Sequence, residues 1–122
     1  MTTKGNHVFL LHIVDSFQCI LEYVSDITED EFYKNRMVQD AVIRNYEIIG
    51  EAAKNLSEDF TARHNEINWH GMAGFRDVLA HRYFGVDLEQ VWEIIEKNAA
   101  NDLSQIQSLP EYIEAKKMFE EQ

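Results

Sequence analysis

The stretch Arg36–Leu56, RMVQDAVIRNYEIIGEAAKNL, decides the fold class. Val38, Ala41, Val42, Ile49, Ala52, Ala53 and Leu56 recur at the three- and four-residue spacing of one helix face, giving a wide buried side. Gly50 sits in the middle of that helix, where glycine costs about 1 kcal/mol against alanine. Close packing of another helix at this point would be a reason to accept the cost.

Both flanks read the same way. On the N-terminal side, Phe9, Ile13, Phe17, Ile20 and Val24 form the stripe of a helix over about Asn6–Val24. Thr28-Glu29-Asp30-Glu31 has the form of a capping box that opens a short helix. On the C-terminal side, Ser57–His64 reads as a short connecting helix, Asn65–Asn68 as a loop, and Trp69 as a core plug. A third main helix is predicted over about His70–Phe84, ending at Gly85. Asp87 caps a fourth, running to about Gln107 with Val91, Trp92, Ile94, Ile95 and Leu103 inward. Ser108-Leu109-Pro110-Glu111 reads as another capping box, with proline in the first turn of a C-terminal helix. The expectation is one domain spanning residues 1–122, all-α, an up-and-down bundle of about four main helices plus short ones. No β-type alternation, repeat or low-complexity tract appears.

Composition narrows the function. Hydrophobic residues make up 45% of the 122, as in an ordinary globular domain. The single cysteine, Cys19, cannot form an internal disulfide, which fits a reducing compartment. The N-terminal apolar run is broken by His12 and Asp15, and no stretch reaches the roughly 18 uninterrupted apolar residues of a membrane span. A soluble, cytoplasmic protein with no membrane partner is expected. The net charge is −11, from 22 acidic and 11 basic residues. Nucleic-acid binders usually carry the opposite balance, so any RNA site must be small and local, or shared with a basic partner.

Reactive side chains concentrate in RDVLAHRYF, Arg76–Phe84. At about 100° per residue, Phe75, Val78 and Leu79 cluster toward the core. Arg76 lies at one edge with Tyr83 two turns above it, and His81 lies roughly 140° away. Between them fall Ala73, Asp77 and Ala80, a strip with small side chains. Arg76, His81 and Tyr83 cannot converge on one point of a regular helix. Either the helix end distorts before Gly85, or a second copy completes the site. A two-fold dimer is favoured, because it would gather two arginines and two histidines around one cleft. Arginine is suited to phosphate oxygens, histidine to proton transfer near neutral pH, and Asp77, one turn before His81, to orienting the imidazole. Such a set suits metal-free cleavage of an RNA phosphodiester. On spacing alone, the same residues are more often just the polar face of an ordinary helix.

The motif Arg76-x4-His81-x-Tyr83 resembles that of HepT-like toxins, a branch of the HEPN ribonuclease superfamily. DAVIRNYEIIGEAAKNLS (Asp40–Ser57), INW (Ile67–Trp69) and YFGVDLEQVWEII (Tyr83–Ile95) resemble the family in the right order. Asp77 stands where asparagine is common. The resemblance implies a helical homodimer whose paired motifs form an RNA endonuclease site, with Arg76 and His81 catalytic and no metal or other cofactor. It implies the toxin of a type VII toxin–antitoxin module acting on RNA, tRNA or mRNA, with DNA not expected. The cognate antitoxin would be a minimal nucleotidyltransferase of MntA type that transfers AMP to Tyr83. The competing expectation, favoured by the acidic charge, is a helical partner subunit that docks the nucleotidyltransferase and cuts nothing.

Other polar residues carry weaker signals. His7, His12, His64 and His70 lack metal-ligand spacing. Glu51, beside Gly50, either projects into solvent or anchors Arg76. Arg44 and Glu47 read as surface residues, and Phe119 as packing on the bundle or on a partner.

Overall fold

A computed structural model describes residues 3–80 and 85–120. Among them every regular element is helical: α1 Thr3–Val24, α2 Glu29–Lys34, α3 Arg36–Asn55, α4 Glu58–Arg63, α5 Trp69–Ala80, α6 Leu88–Ile94, α7 Ala100–Gln107 and α8 Pro110–Glu120. A π-helical turn, Ile95–Ala99, joins α6 to α7 into one continuous rod. The all-α HEPN-like bundle expected from the sequence is the fold observed.

The long helix that decided the fold class stands at its centre, with α3 packed between α1 and α5, and α7 and α8 covering the far side of α1. Val42 and Ile49 of α3 are fully buried, as are Leu10, Ile13 and Ile20 of α1. Phe17, Tyr46 and Phe75 interlock edge to face across these three helices, with ring centroids 6.2 and 5.1 Å apart. Burial pushes the Tyr46 phenol well above its ordinary pKa, with the Asp102 charge adding to the effect. The stretch Gly5–Val24 is long and apolar enough, by length and composition, to cross a membrane. Its apolar stripe faces the bundle interior, which accounts for that hydropathy.

Side-chain caps explain where α2, α3, α4 and α6 begin. Thr28 and Glu31 form the reciprocal capping box of α2. Asn35, Ser57 and Asp87 each accept a backbone N–H at the start of α3, α4 and α6. Ser57 also exchanges two hydrogen bonds with Asn6, at 3.0 and 3.1 Å, fastening α1 to the α3–α4 junction.

Three expectations need correction. Ser108 does not cap α8: its backbone is helical, and its Oγ donates back to the Ser104 carbonyl at 2.9 Å. Glu111 reaches instead to His64 Nε2, at 2.9 Å, tying α8 to α4. Val78 does not face the core but is 39% exposed. The buried stripe of α5 runs through Trp69, Met72 and Leu79, and Val78 lies about 100° off it. The fourth helix is not regular, because the π turn interrupts it and brings Ala99 fully into the core.

Candidate active site

Arg76 owes its position to the glycine of the central helix. A Cβ on Gly50 would lie 2.1 Å from the Arg76 Cβ and 2.9 Å from the Met72 carbonyl oxygen. Only a residue without a side chain lets α5 approach α3 so closely, which is the reason anticipated for a mid-helix glycine. The approach buries the stem of Arg76 against α3 and leaves its side chain one-third exposed (33%).

The guanidinium is then held from both sides. Nη2 lies 3.2 Å from Glu51 Oε2, and Nη1 donates to Asp77 Oδ1 at 3.3 Å. Glu51 therefore anchors Arg76, the second of the two roles open to it. Lys54 Nζ reaches the same Asp77 oxygen at 2.5 Å. The result is a line of alternating charge, Glu51–Arg76–Asp77–Lys54, laced across the α3–α5 contact. The Lys54 hydrogen bond, with Arg76 adding to it, holds the Asp77 carboxyl below its ordinary pKa against partial desolvation.

The predicted site residues divide around α5. Arg76 lines a cleft of about 350 Å³ over α1 and α3, together with Phe9, His12, Arg44, Glu47 and Glu51. Asp77 and Ala73 line a separate hollow of about 880 Å³ on the other side, beside Lys54, Trp69 and His70. Ala80 is exposed at the described end of α5. His81 and Tyr83 lie outside the described residues, and so do the predicted helix end at Phe84 and the relation of Asp77 to His81. Gly85 is described, and its φ of 114° lies in the left-handed region that favours glycine.

His12, Arg44 and Glu47 were not read as neighbours of Arg76 from the sequence. Arg44, Glu47 and Glu51 fall at i, i+3 and i+7, so a polar face of α3 was legible. That α1 would set His12 beside this face was not. Among the described residues no three or more His, Cys, Asp or Glu side chains converge as a metal ion would require.

The family model described as ribonuclease HepT-like matches residues 13–113. A protein of Methanocaldococcus jannaschii named "Putative RNase" is 41% identical over 93% of this chain and 94% of its own length. A second from the same organism, named "Gamma-glutamylcyclotransferase and putative RNase", is 43% identical over 93% of this chain and 51% of its own. A third, "Probable ribonuclease HepT" of Thermococcus cleftensis, is 41% identical over 78% of this chain and 86% of its own. No solved structure matches. The chain belongs to the ribonuclease HepT-like family.

Proposed function

We propose that this ribonuclease HepT-like protein is a metal-independent RNA endonuclease whose site is completed by a second copy of the chain, and that it is the toxin of a toxin–antitoxin module. The observation that carries the reading is the setting of Arg76: its stem is buried by the Gly50 contact, its charge is fixed by Glu51 and Asp77, and it stands at the edge of a cleft. A guanidinium held this way is preorganised for a phosphate and for the charge that develops on it during cleavage.

In this reading His81 takes the proton from the ribose 2′-hydroxyl or gives one to the leaving 5′-oxygen, and Arg76 stabilises the pentacoordinate phosphorus between them. Asp77 orients the site, and Tyr83 contacts substrate and is the point of control. A nucleotidyltransferase antitoxin transfers AMP from ATP to its phenol, releasing pyrophosphate. The new phosphodiester then occupies the place of substrate beside Arg76. The protein acts in the cytoplasm on tRNA or mRNA.

The deciding experiment measures RNA cleavage by the wild type, Arg76→Ala and His81→Ala, with and without EDTA. Each substitution is expected to cost about 10²–10⁴-fold, and chelation nothing. Activity lost to EDTA and restored by a divalent metal would overturn the metal-free mechanism. A wild type that docks the nucleotidyltransferase but cuts no RNA would leave the non-catalytic partner subunit as the function.

A further inference from the structure

We infer that the cleft beside Arg76 is a subsite for one nucleotide of single-stranded RNA next to the cleaved bond, with Arg44 binding its phosphate and the Phe9–His12 pair receiving its base. The inference deepens the nuclease reading and rests on it.

The cleft joins groups that lie far apart in the chain, from Phe9 and His12 to Arg44 and Arg76. Arg44 lines it and forms no hydrogen bond or ion pair with a described residue. By contrast Arg36, Arg63, Lys97 and Lys116 each face a carboxylate. An uncommitted guanidinium in a hollow is a ready phosphate ligand. Across from it, Phe9 and exposed His12 meet edge to face with ring centroids 6.5 Å apart. Aromatic and imidazole rings at a wall are the usual platform for an unstacked base. The volume, about 350 Å³, lies at the small end of ligand pockets and suits a single nucleotide.

Charge supports the same assignment. Glu47 and Glu51 line the cleft with Arg44 and Arg76, so the cleft is nearly neutral in a chain of net charge −11. Such a place holds one phosphate between two arginines without attracting long polyanions indiscriminately. It answers how an acidic protein can handle RNA: through a small local site. Glu51 is committed to Arg76, so it positions that arginine.

The test uses the full chain and a short single-stranded oligoribonucleotide of mixed sequence. Arg44→Ala and His12→Ala should each raise KM about tenfold with kcat nearly unchanged, and neither should shift the melting temperature, because both side chains are exposed. Binding is then followed by fluorescence anisotropy in the His81→Ala background. Arg44→Ala should lower the slope of log affinity against log salt by about 0.7, whereas His12→Ala should leave the slope alone. If Arg76→Ala and His81→Ala abolish cleavage while Arg44→Ala and His12→Ala keep the wild-type KM and salt slope, the subsite is overturned and the nuclease reading stands. If the wild type cuts no RNA, the nuclease reading fails, and the salt slope of Arg44→Ala still decides the subsite.

Discussion

Adding one methyl group at Gly50 should both destabilise the bundle and disarm Arg76. The Cβ of Gly50→Ala would fall 2.1 Å from the Arg76 Cβ, 2.8 Å from its Cγ and 2.9 Å from the Met72 carbonyl. Ordinary carbon contact begins at 3.4 Å, so α5 must retreat from α3 by more than an ångström. Two of the three obstructing atoms are a Cβ and a backbone oxygen, which cannot rotate away. Overpacking of this kind costs about 1–3 kcal/mol, and the backbone contact places this case at the upper end. Alanine returns about 1 kcal/mol through helix propensity. The net expectation is a loss of about 2 kcal/mol, or about 5–10 °C in Tm for a domain of this size. Cleavage should fall further than stability, because an ångström of misplacement at a positioned group can cost about 10²-fold. Gly74 supplies the control. It lies in α5 with nothing within 4 Å of an added Cβ, so Gly74→Ala should stabilise by about 0.5–1 kcal/mol. Urea melts followed by circular dichroism and RNA cleavage at a temperature where both variants are folded would decide. A Gly50→Ala protein as stable and as active as the wild type would refute the argument that this glycine sets the place of Arg76.

The remaining expectations concern assembly, control and pH. Sedimentation should show a homodimer at micromolar concentration, and Ala80→Trp on the exposed end of α5 should weaken it or cut activity; a monomeric, fully active wild type would sink the composite site. Incubation with the cognate nucleotidyltransferase, ATP and Mg²⁺ should add AMP to Tyr83 and suppress cleavage, with Tyr83→Phe escaping both. Peptide mass spectrometry that finds the label on Tyr23, Tyr33, Tyr46 or Tyr112 would reject that assignment. Burial works to raise the Glu111 pKa, but the hydrogen bond to His64, its own backbone N–H and the charge of Arg63 outweigh it and leave it below the ordinary 4.5. A depressed carboxyl stabilises the fold above its unfolded pKa and stops doing so as pH falls through the folded value. Glu111→Gln should therefore be less stable than the wild type at neutral pH, with the difference closing below pH 4.5; a difference that persists in acid would show that the α4–α8 tie does not depend on charge.

Sequence alone determined the helical class and most of the helix starts, and it marked Gly50 as a place where close helix packing would justify a mid-helix glycine. These are properties of a few neighbouring residues: a period of 3.6, a side-chain oxygen placed to receive an N–H, a missing Cβ. Around Arg76 the spacing showed only reactive side chains gathered on one helix, and the family resemblance gave them their expected roles. Sequence alone failed where a second element had to be known. Val78 was assigned inward because the wheel of one helix has no fixed zero, and only packing on α3 set the rotation of α5. Ser108 had the spacing of a cap, but its backbone stayed helical and its hydroxyl turned back to Ser104. Glu51 had two possible roles, and only the α3–α5 contact chose between them. Arg44 and Glu47 looked like surface residues, and His12 like one broken position in an apolar run. Their meeting beside Arg76 depends on the crossing of α1, α3 and α5, which is set by the fit of buried side chains far apart in the chain.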